Sequence, residues 1–133
     1  MKHFLGFIFL LFLTSCVSNK LKTIEGKWQQ EFLDYKSKVV DVHLAKSDAI
    51  MDVSRIKSRL KIEFDFQDGY EKDQTDSVVF NYPRLKFRKI NLEKTFNRYD
   101  LNYDVTCDCF FGEMKSHSGN VLNIKLNRVS SVK

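Results

Sequence analysis

Residues 99–111 read YDLNYDVTCDCFF, the longest run in the chain in which apolar and polar side chains alternate. Tyr99, Leu101, Tyr103 and Val105 share one face of a strand with this spacing, and acidic or amide side chains occupy the other face. A register slip of one residue would bury three aspartates. The run therefore predicts a single long half-buried strand over 99–111, with these four residues facing inward.

Shorter alternations of the same kind precede and follow this run. They predict further strands at Lys27–Leu33, Val40–Leu44, Leu60–Phe66 and Ser77–Tyr82, one that begins at Leu85, and a closing strand at Leu122–Leu126. Gly112 predicts a bend or bulge where the long strand ends. About seven strands joined by short turns indicate an all-β fold, either a small antiparallel barrel or a barrel-like sandwich.

One stretch has a different period. Four apolar residues are spaced as on one face of a helix, at Ala49, Val53, Ile56 and Leu60. Ser47 is a suitable N-cap for that helix. The spacing predicts one short helix over 48–58, after the second strand. Alternate residues over 50–56 also fit a strand, and that interpretation stays open.

The composition bounds the class of protein. With 133 residues, of which 43% are hydrophobic and 29% charged, the chain has the make-up of one folded domain rather than of a disordered segment. The net charge is +5, but lysines and arginines are interspersed with acidic residues instead of forming the basic stripe of a nucleic-acid surface. Nucleic acid is therefore not an expected partner.

The chain begins with a short apolar leader. Lys2 precedes the ten apolar residues Phe4–Leu13, which is the length of an export signal and too short to span a bilayer. The leader ends in Leu13-Thr14-Ser15-Cys16, which resembles the bacterial lipobox. This resemblance implies cleavage before Cys16, a diacylglyceryl group on its thiol, and acylation of its new amino terminus by a fatty acid such as palmitate. The alternative is an ordinary secreted protein in which this cysteine is incidental.

The same resemblance divides and locates the chain. Residues 1–15 are predicted to be the signal peptide, 16–23 the lipidated cysteine with its tether, and 24–133 the folded domain. Two or three acyl chains hold a protein stably at a membrane. Enteric lipoproteins that stay at the inner membrane carry Asp after the cysteine, whereas this chain carries Val17. The expected location is the bacterial cell envelope, at the outer membrane rather than the inner one.

Two short motifs resemble lipocalin-like proteins. Gly26-Lys27-Trp28 is similar to the Gly-x-Trp opening of that group, and Leu122–Arg128 is similar to its closing strand, which often ends in an arginine near the tryptophan. The resemblance implies an up-and-down barrel whose closed end is plugged by Trp28 and whose open mouth admits a small apolar ligand. The ligand-binding residues predicted on this basis are Trp28, Tyr99, Leu101, Tyr103 and Val105.

The C-terminal part also resembles a second family. Residues 107–112 and the following Gly119-Asn120 turn are similar to the Cys-Asn-x-Phe-x-Gly stretch and Gly-Asn turn of META domains, found in bacterial envelope lipoproteins. Asp108 stands where that family has Asn. This resemblance gives the alternative function, in which a filled β core presents a surface for protein interaction, inhibition or toxin immunity. The two functions differ in whether the barrel interior is empty.

Residues that carry chemistry are few. Cys107 and Cys109 lie two positions apart on the predicted strand, where the Cα atoms are about 7 Å apart, so a disulfide between them requires a bulge. The alternatives are two buried thiols, that disulfide, or a metal site with His117, whose spacing is the least suitable. No nucleophile has a visible base beside it, so the chain is not expected to be an enzyme or to need a cofactor or metal.

The aspartates of the long strand have a basic counterpart. Arg84, Lys86, Arg88 and Lys89 form a basic run, and Asp100, Asp104 and Asp108 repeat along the polar face of the long strand. We interpret the two sets as partners across the sheet, each exposed pair contributing about 0 to 1 kcal/mol. The alternative is that the acidic face meets a basic partner protein.

Overall fold

A computed structural model describes residues 20–21, 23–33, 46–66, 69 and 71–129 of the chain. These residues form an eight-stranded antiparallel barrel that is closed by pairing between the first and last strands. The strands are β1 Gly26–Phe32, β2 Lys46–Ile56, β3 Arg59–Asp65, β4 Asp73–Asn81, β5 Arg84–Ile90, β6 Phe96–Asp104, β7 Cys109–Lys115 and β8 Val121–Arg128. The prediction of an all-β antiparallel barrel is confirmed, while the strand expected at Val40–Leu44 lies outside the described residues.

The helix predicted over 48–58 is wrong, because this segment is strand β2. Alternate residues Ala49, Met51 and Val53 are buried in the core. Met51 pairs with Trp28 of β1 on one side and with Phe64 of β3 on the other. A spacing of four residues, as between Ala49 and Val53, fits a strand as well as a helix. The two flanking strands supply backbone hydrogen-bond partners along β2, which selects the strand.

The single strand predicted over 99–111 is also wrong, because a turn at residues 105–108 divides it into β6 and β7. The Asp104 carboxylate accepts hydrogen bonds from the backbone N–H and the hydroxyl of Thr106, at 2.8 and 2.6 Å. Asp108 has a positive φ of 48°. Such side-chain bonds to the backbone two residues ahead favour a turn over a continuing strand. Val105 is therefore 67% exposed at the turn instead of facing inward.

Gly112 lies within β7 and not at a strand end. It pairs with Leu101 of β6 and Ile124 of β8. A Cβ atom at this position would overlap the carbonyl oxygen of Asp100 and lie 2.8 Å from the Cα of Leu101. Only glycine lets the two backbones approach this closely.

Aromatic rings fill the centre of the barrel. Phe87 stacks on Tyr99 with ring centroids 4.7 Å apart, and Phe64 contacts both rings at 5.9 and 5.5 Å. Nearer the start of β1, Trp28 meets Phe110 edge to face at 4.8 Å. The aliphatic part of the core includes Met51, Val53, Ile62, Leu85, Leu101, Ile124 and Leu126.

The two ends of the barrel differ in what covers them. At one end, which we call the tether end, lie the turns at 57–58, 82–83 and 105–108, together with the helical residues Lys20, Leu21, Thr23 and Ile24 that precede β1. At the other, which we call the far end, lie the turns at 91–95 and 116–120. Among the described residues, no helix has the length and hydropathy of a membrane span.

Candidate functional site

The barrel wall opens between β3 and β4. These strands pair only at Glu63 with Gln74 and at Phe64 with Asp73, next to the far end. Other neighbouring strands pair over five or seven residues. Within β4, Ser77 has a φ of 53° and the pairing with β5 shifts between Asp76 and Val79. A bulge of this kind bends a strand, and here the second half of β4 is not paired with β3.

A groove occupies this opening and extends to the tether end. Its first chamber has a volume of about 830 Å³ and its second a volume of about 630 Å³, and both are lined by Leu60 and Val78. Leu21, Phe80 and Tyr82 complete the apolar lining of the first chamber. Because Leu60, Val78 and Phe80 also pack against the core, the groove floor is the side of the barrel core. Ligand pockets commonly have volumes of about 300 to 1,000 Å³ with an apolar lining.

Cationic side chains stand at the rim of the groove. Lys20 and Arg59 line the first chamber, and Lys57 lines the second. The Lys20 Nζ lies 5.2 Å from the centre of the Tyr82 ring. Among the residues that the structure describes, Lys57 and Arg59 take part in no ion pair. The arrangement suits an amphiphile with one apolar chain and an anionic head.

A network around Trp28 and Arg128 closes the tether end. The Trp28 indole N–H donates to the carbonyl of Ile24 at 3.1 Å. The Arg128 guanidinium lies 4.1 Å from the centre of the Trp28 ring and donates to both carboxylate oxygens of Asp108, at 2.6 and 3.0 Å. It also donates to the backbone carbonyls of Thr23 and Glu25, both at 2.7 Å. One side chain thus joins the segment before β1 to the turn between β6 and β7.

The pKa values of Asp108 and Tyr103 are shifted in this network. The hydrogen bond from Arg128 is the main cause that lowers the pKa of Asp108 below its usual range. Burial raises the pKa of Tyr103, and the hydroxyl of Tyr103 donates to Asp108 at 2.8 Å. The ion pair is therefore formed at neutral pH.

The motif that precedes Trp28 requires a glycine at position 26. Its φ is 134°, a conformation that residues with a side chain rarely adopt. A Cβ atom there would lie 2.7 Å from the Nη1 of Arg128. Glycine therefore leaves room for the arginine that covers the tryptophan.

The barrel interior also holds polar pairs that the sequence pattern did not predict. Lys89 forms an ion pair with Asp73 at 3.2 Å, and both side chains are about nine-tenths buried. The Tyr99 hydroxyl donates to the Oε1 of Gln30 at 3.0 Å. Burial is the main cause that raises the pKa of Tyr99, and the charge of Asp73 adds to it. Leu85, Phe87 and Lys89 are alternate residues of β5, and this spacing places Lys89 on the inward face. The interpretation of Lys89 as part of an outer basic run is therefore wrong.

The pairing interpreted from the sequence holds only for Asp100, since Asp104 accepts from Thr106, Asp108 pairs with Arg128, and Arg88 pairs with Asp76 of β4 instead. Arg84 donates to both oxygens of Asp100 at 2.7 and 2.5 Å, and Lys86 lies 3.6 Å from the same carboxylate. Arg88 forms a bidentate pair with Asp76 at 2.7 and 2.6 Å. These hydrogen bonds are the leading cause of the lowered pKa values of both aspartates.

The predicted ligand-binding residues lie in the packed core, with one exception. Trp28, Tyr99, Leu101 and Tyr103 face inward as predicted and are buried. None of them lines either chamber of the groove. Val105 is the exception, because its turn lies outside the barrel. The core residues thus support the fold, while Leu60, Val78 and Phe80 line the open space.

Cys107 and Cys109 form a disulfide with a Cα–Cα distance of 5.2 Å. On a regular strand this distance would be about 7 Å, but Cys107 belongs to the turn and only Cys109 begins β7. The positive φ of Asp108 between them shortens the span. The described residues contain no group of three or more His, Cys, Asp and Glu side chains arranged to hold a metal ion.

No protein-family model matches the chain, and no match is found among curated proteins or solved structures.

Proposed function

We propose that the protein is a lipid-anchored lipoprotein of the bacterial envelope, whose lipocalin-like barrel binds a small apolar ligand in the groove between β3 and β4. The observation that carries the ligand proposal is the groove itself, with its apolar lining from Leu60, Val78 and Phe80. Lys20 and Arg59 at its rim favour a ligand with an anionic head, such as a fatty acid or a lysophospholipid. The proposal includes no catalytic step and no cofactor.

The contacts at the tether end support the lipocalin-like assignment. A glycine two residues before a buried Trp28, an Arg128 stacked on that ring, and eight strands in up-and-down order occur together here. The contacts of Trp28 and Arg128 are those that the sequence resemblance implied. They support a barrel that is closed at this end by its first and last strands.

Ligand binding is tested by titrating the protein with a dansyl-labelled fatty acid. We expect the wild-type protein to bind the probe, and Val78→Phe to weaken binding by at least about tenfold, which corresponds to about 1.4 kcal/mol. The larger side chain narrows both chambers, because Val78 lines each of them. Val121→Phe is the matched control, since Val121 is an exposed residue of β8. Absence of probe binding by the wild-type protein would refute the ligand proposal.

The lipid anchor is tested separately at Cys16. We expect Cys16→Ser to move the protein from the membrane fraction to the soluble fraction or to leave the leader uncleaved, because the acylated thiol is removed. An acyl mass on the first residue of the wild-type protein is the matching positive result. Unchanged detergent partitioning of the variant would contradict the anchor without affecting the groove.

The alternative is an interaction protein of the META-like kind, and the filled interior favours it. Three aromatic rings contact one another at the barrel centre, those of Phe64, Phe87 and Tyr99. No ligand is therefore needed to complete that part of the core. In this case the wild-type protein would not bind the fatty-acid probe. Cross-linking in the native envelope would then recover a protein partner.

A further inference from the structure

We propose that the tether end of the barrel is a membrane-docking surface that lies against an anionic lipid bilayer, with the mouth of the groove turned toward the lipid. The docking surface consists of Lys20, Leu21, Ile56, Lys57, Arg59 and Tyr82. The inference rests on the lipid anchor proposed above, but it adds an orientation that the anchor alone does not require.

The length of the tether places this end near the bilayer. Lys20 follows Cys16 by four residues, which reach at most about 14 Å when fully extended. Leu21 and Ile24 begin the contacts with the barrel at the tether end, where Ile24 is completely buried. An acylated Cys16 would therefore hold the tether end, and not the far end, next to the membrane.

Apolar side chains project from this end on both sides of the groove. Ile56, at the tip of the β2–β3 hairpin, is 55% exposed, and Tyr82, at the tip of the β4–β5 hairpin, is 41% exposed. Ile56 lines the second chamber and Tyr82 lines the first. Tyrosine suits a membrane interface because its ring is apolar and its hydroxyl stays hydrated.

The charge of the docking surface complements an anionic bilayer. Lys20, Lys57 and Arg59 surround the groove mouth, and juxtamembrane cations are attracted to anionic lipids. Two carboxylates at the tether end have cationic partners, and the first of them, Glu25, pairs with Arg55 at 3.1 Å. The Asp108 carboxylate is likewise occupied by Arg128.

The orientation has a consequence for ligand entry. Because the groove opens between the two hairpins of the docking surface, an acyl chain of a membrane amphiphile can move from the bilayer into the groove without crossing water. The chain would then contact Leu60, Val78 and Phe80, while the anionic head stays near Lys20 and Arg59.

The test uses the mature protein with its complete tether and barrel. It is processed and acylated in its host and reconstituted into vesicles of phosphatidylcholine and phosphatidylglycerol with brominated acyl chains. Ile56→Trp reports on the docking surface, and Leu92→Trp is the matched control, because Leu92 is 90% exposed at the far-end turn. Trp28, which is the native tryptophan, gives the same background in both variants. Bromine quenches tryptophan only at short range, so we expect added quenching for Ile56→Trp alone.

A second pair of variants tests the charge. We expect Lys57→Glu combined with Arg59→Glu to remove the added quenching of Ile56→Trp on anionic vesicles, and raising the salt concentration to weaken it. Lys115→Glu at the far end should leave it unchanged. Equal quenching at positions 56 and 92, or none at position 56 in vesicle-bound protein, would overturn the docking surface. If neither variant floats with the vesicles, both the anchor and the docking surface are overturned. The binding of the dansyl probe reports separately on the groove.

Discussion

Trp28 provides a direct test of how the tether end of the barrel is held closed. The side chain is 0% exposed, and its ring lies 4.8 Å from that of Phe110 and 4.1 Å from the Arg128 guanidinium. Its indole N–H is the donor to the Ile24 carbonyl. We expect Trp28→Ala to remove all these interactions and to leave a cavity beneath the segment that precedes β1.

The expected destabilisation follows from the complete burial of the indole ring. Replacing a buried tryptophan with alanine costs about 3 to 5 kcal/mol, a large part of the roughly 5 to 15 kcal/mol that stabilises a typical domain. With a urea m value of about 2 kcal/mol/M, the midpoint of unfolding should fall by about 2 M. Trp28→Phe keeps an apolar ring but leaves the Ile24 carbonyl without its donor, so it should cost about 1 to 3 kcal/mol.

Urea unfolding followed by far-ultraviolet circular dichroism measures both variants, with the disulfide kept intact. Phe111→Ala is the control, because Phe111 lies on the outer face of β7 and is 40% exposed. We expect it to change the free energy of unfolding by less than about 1 kcal/mol. Equal midpoints for Trp28→Ala and Phe111→Ala would refute the argument that Trp28 closes the barrel.

Three further outcomes are expected. Leu101→Phe should overpack the filled core and lower the free energy of unfolding by about 1 to 3 kcal/mol, whereas Val105→Phe at the exposed turn should leave the thermal midpoint nearly unchanged. Gly112→Ala should lower the free energy of unfolding measured in urea by a similar amount, because its Cβ would overlap the β6 backbone. The Asp108 pKa is lowered by Arg128, so the stability from this pair is present above the ordinary pKa of about 4 and lost as pH falls through the lowered value. Asp108→Asn should reduce that acid-side loss in unfolding titrations, and an unchanged pH profile would contradict the role of the pair.

The sequence alone determined that most of the described chain is strand and which side chains of β6 face inward. Side chains of a strand alternate with a fixed period of two, so a local pattern is enough to place Tyr99, Leu101 and Tyr103 inside. The contact between Trp28 and Arg128 was also accessible, through the motifs at the two ends of the barrel domain. The location of the acyl group at Cys16 remains a prediction of the leader sequence.

Only the tertiary structure decided the features that depend on pairing between strands. The segment that forms β2 carries a local pattern compatible with a helix or a strand, and hydrogen bonding to β1 and β3 selects the strand. Lys89 is tolerated inside because Asp73, on the neighbouring strand β4, neutralises it there. The groove has no local signature either, since it exists where the bulged β4 fails to pair with β3 around Leu60. Strand pairing joins residues that no short window of sequence contains, and for that reason the open wall of the barrel, which is the candidate site, was not predicted.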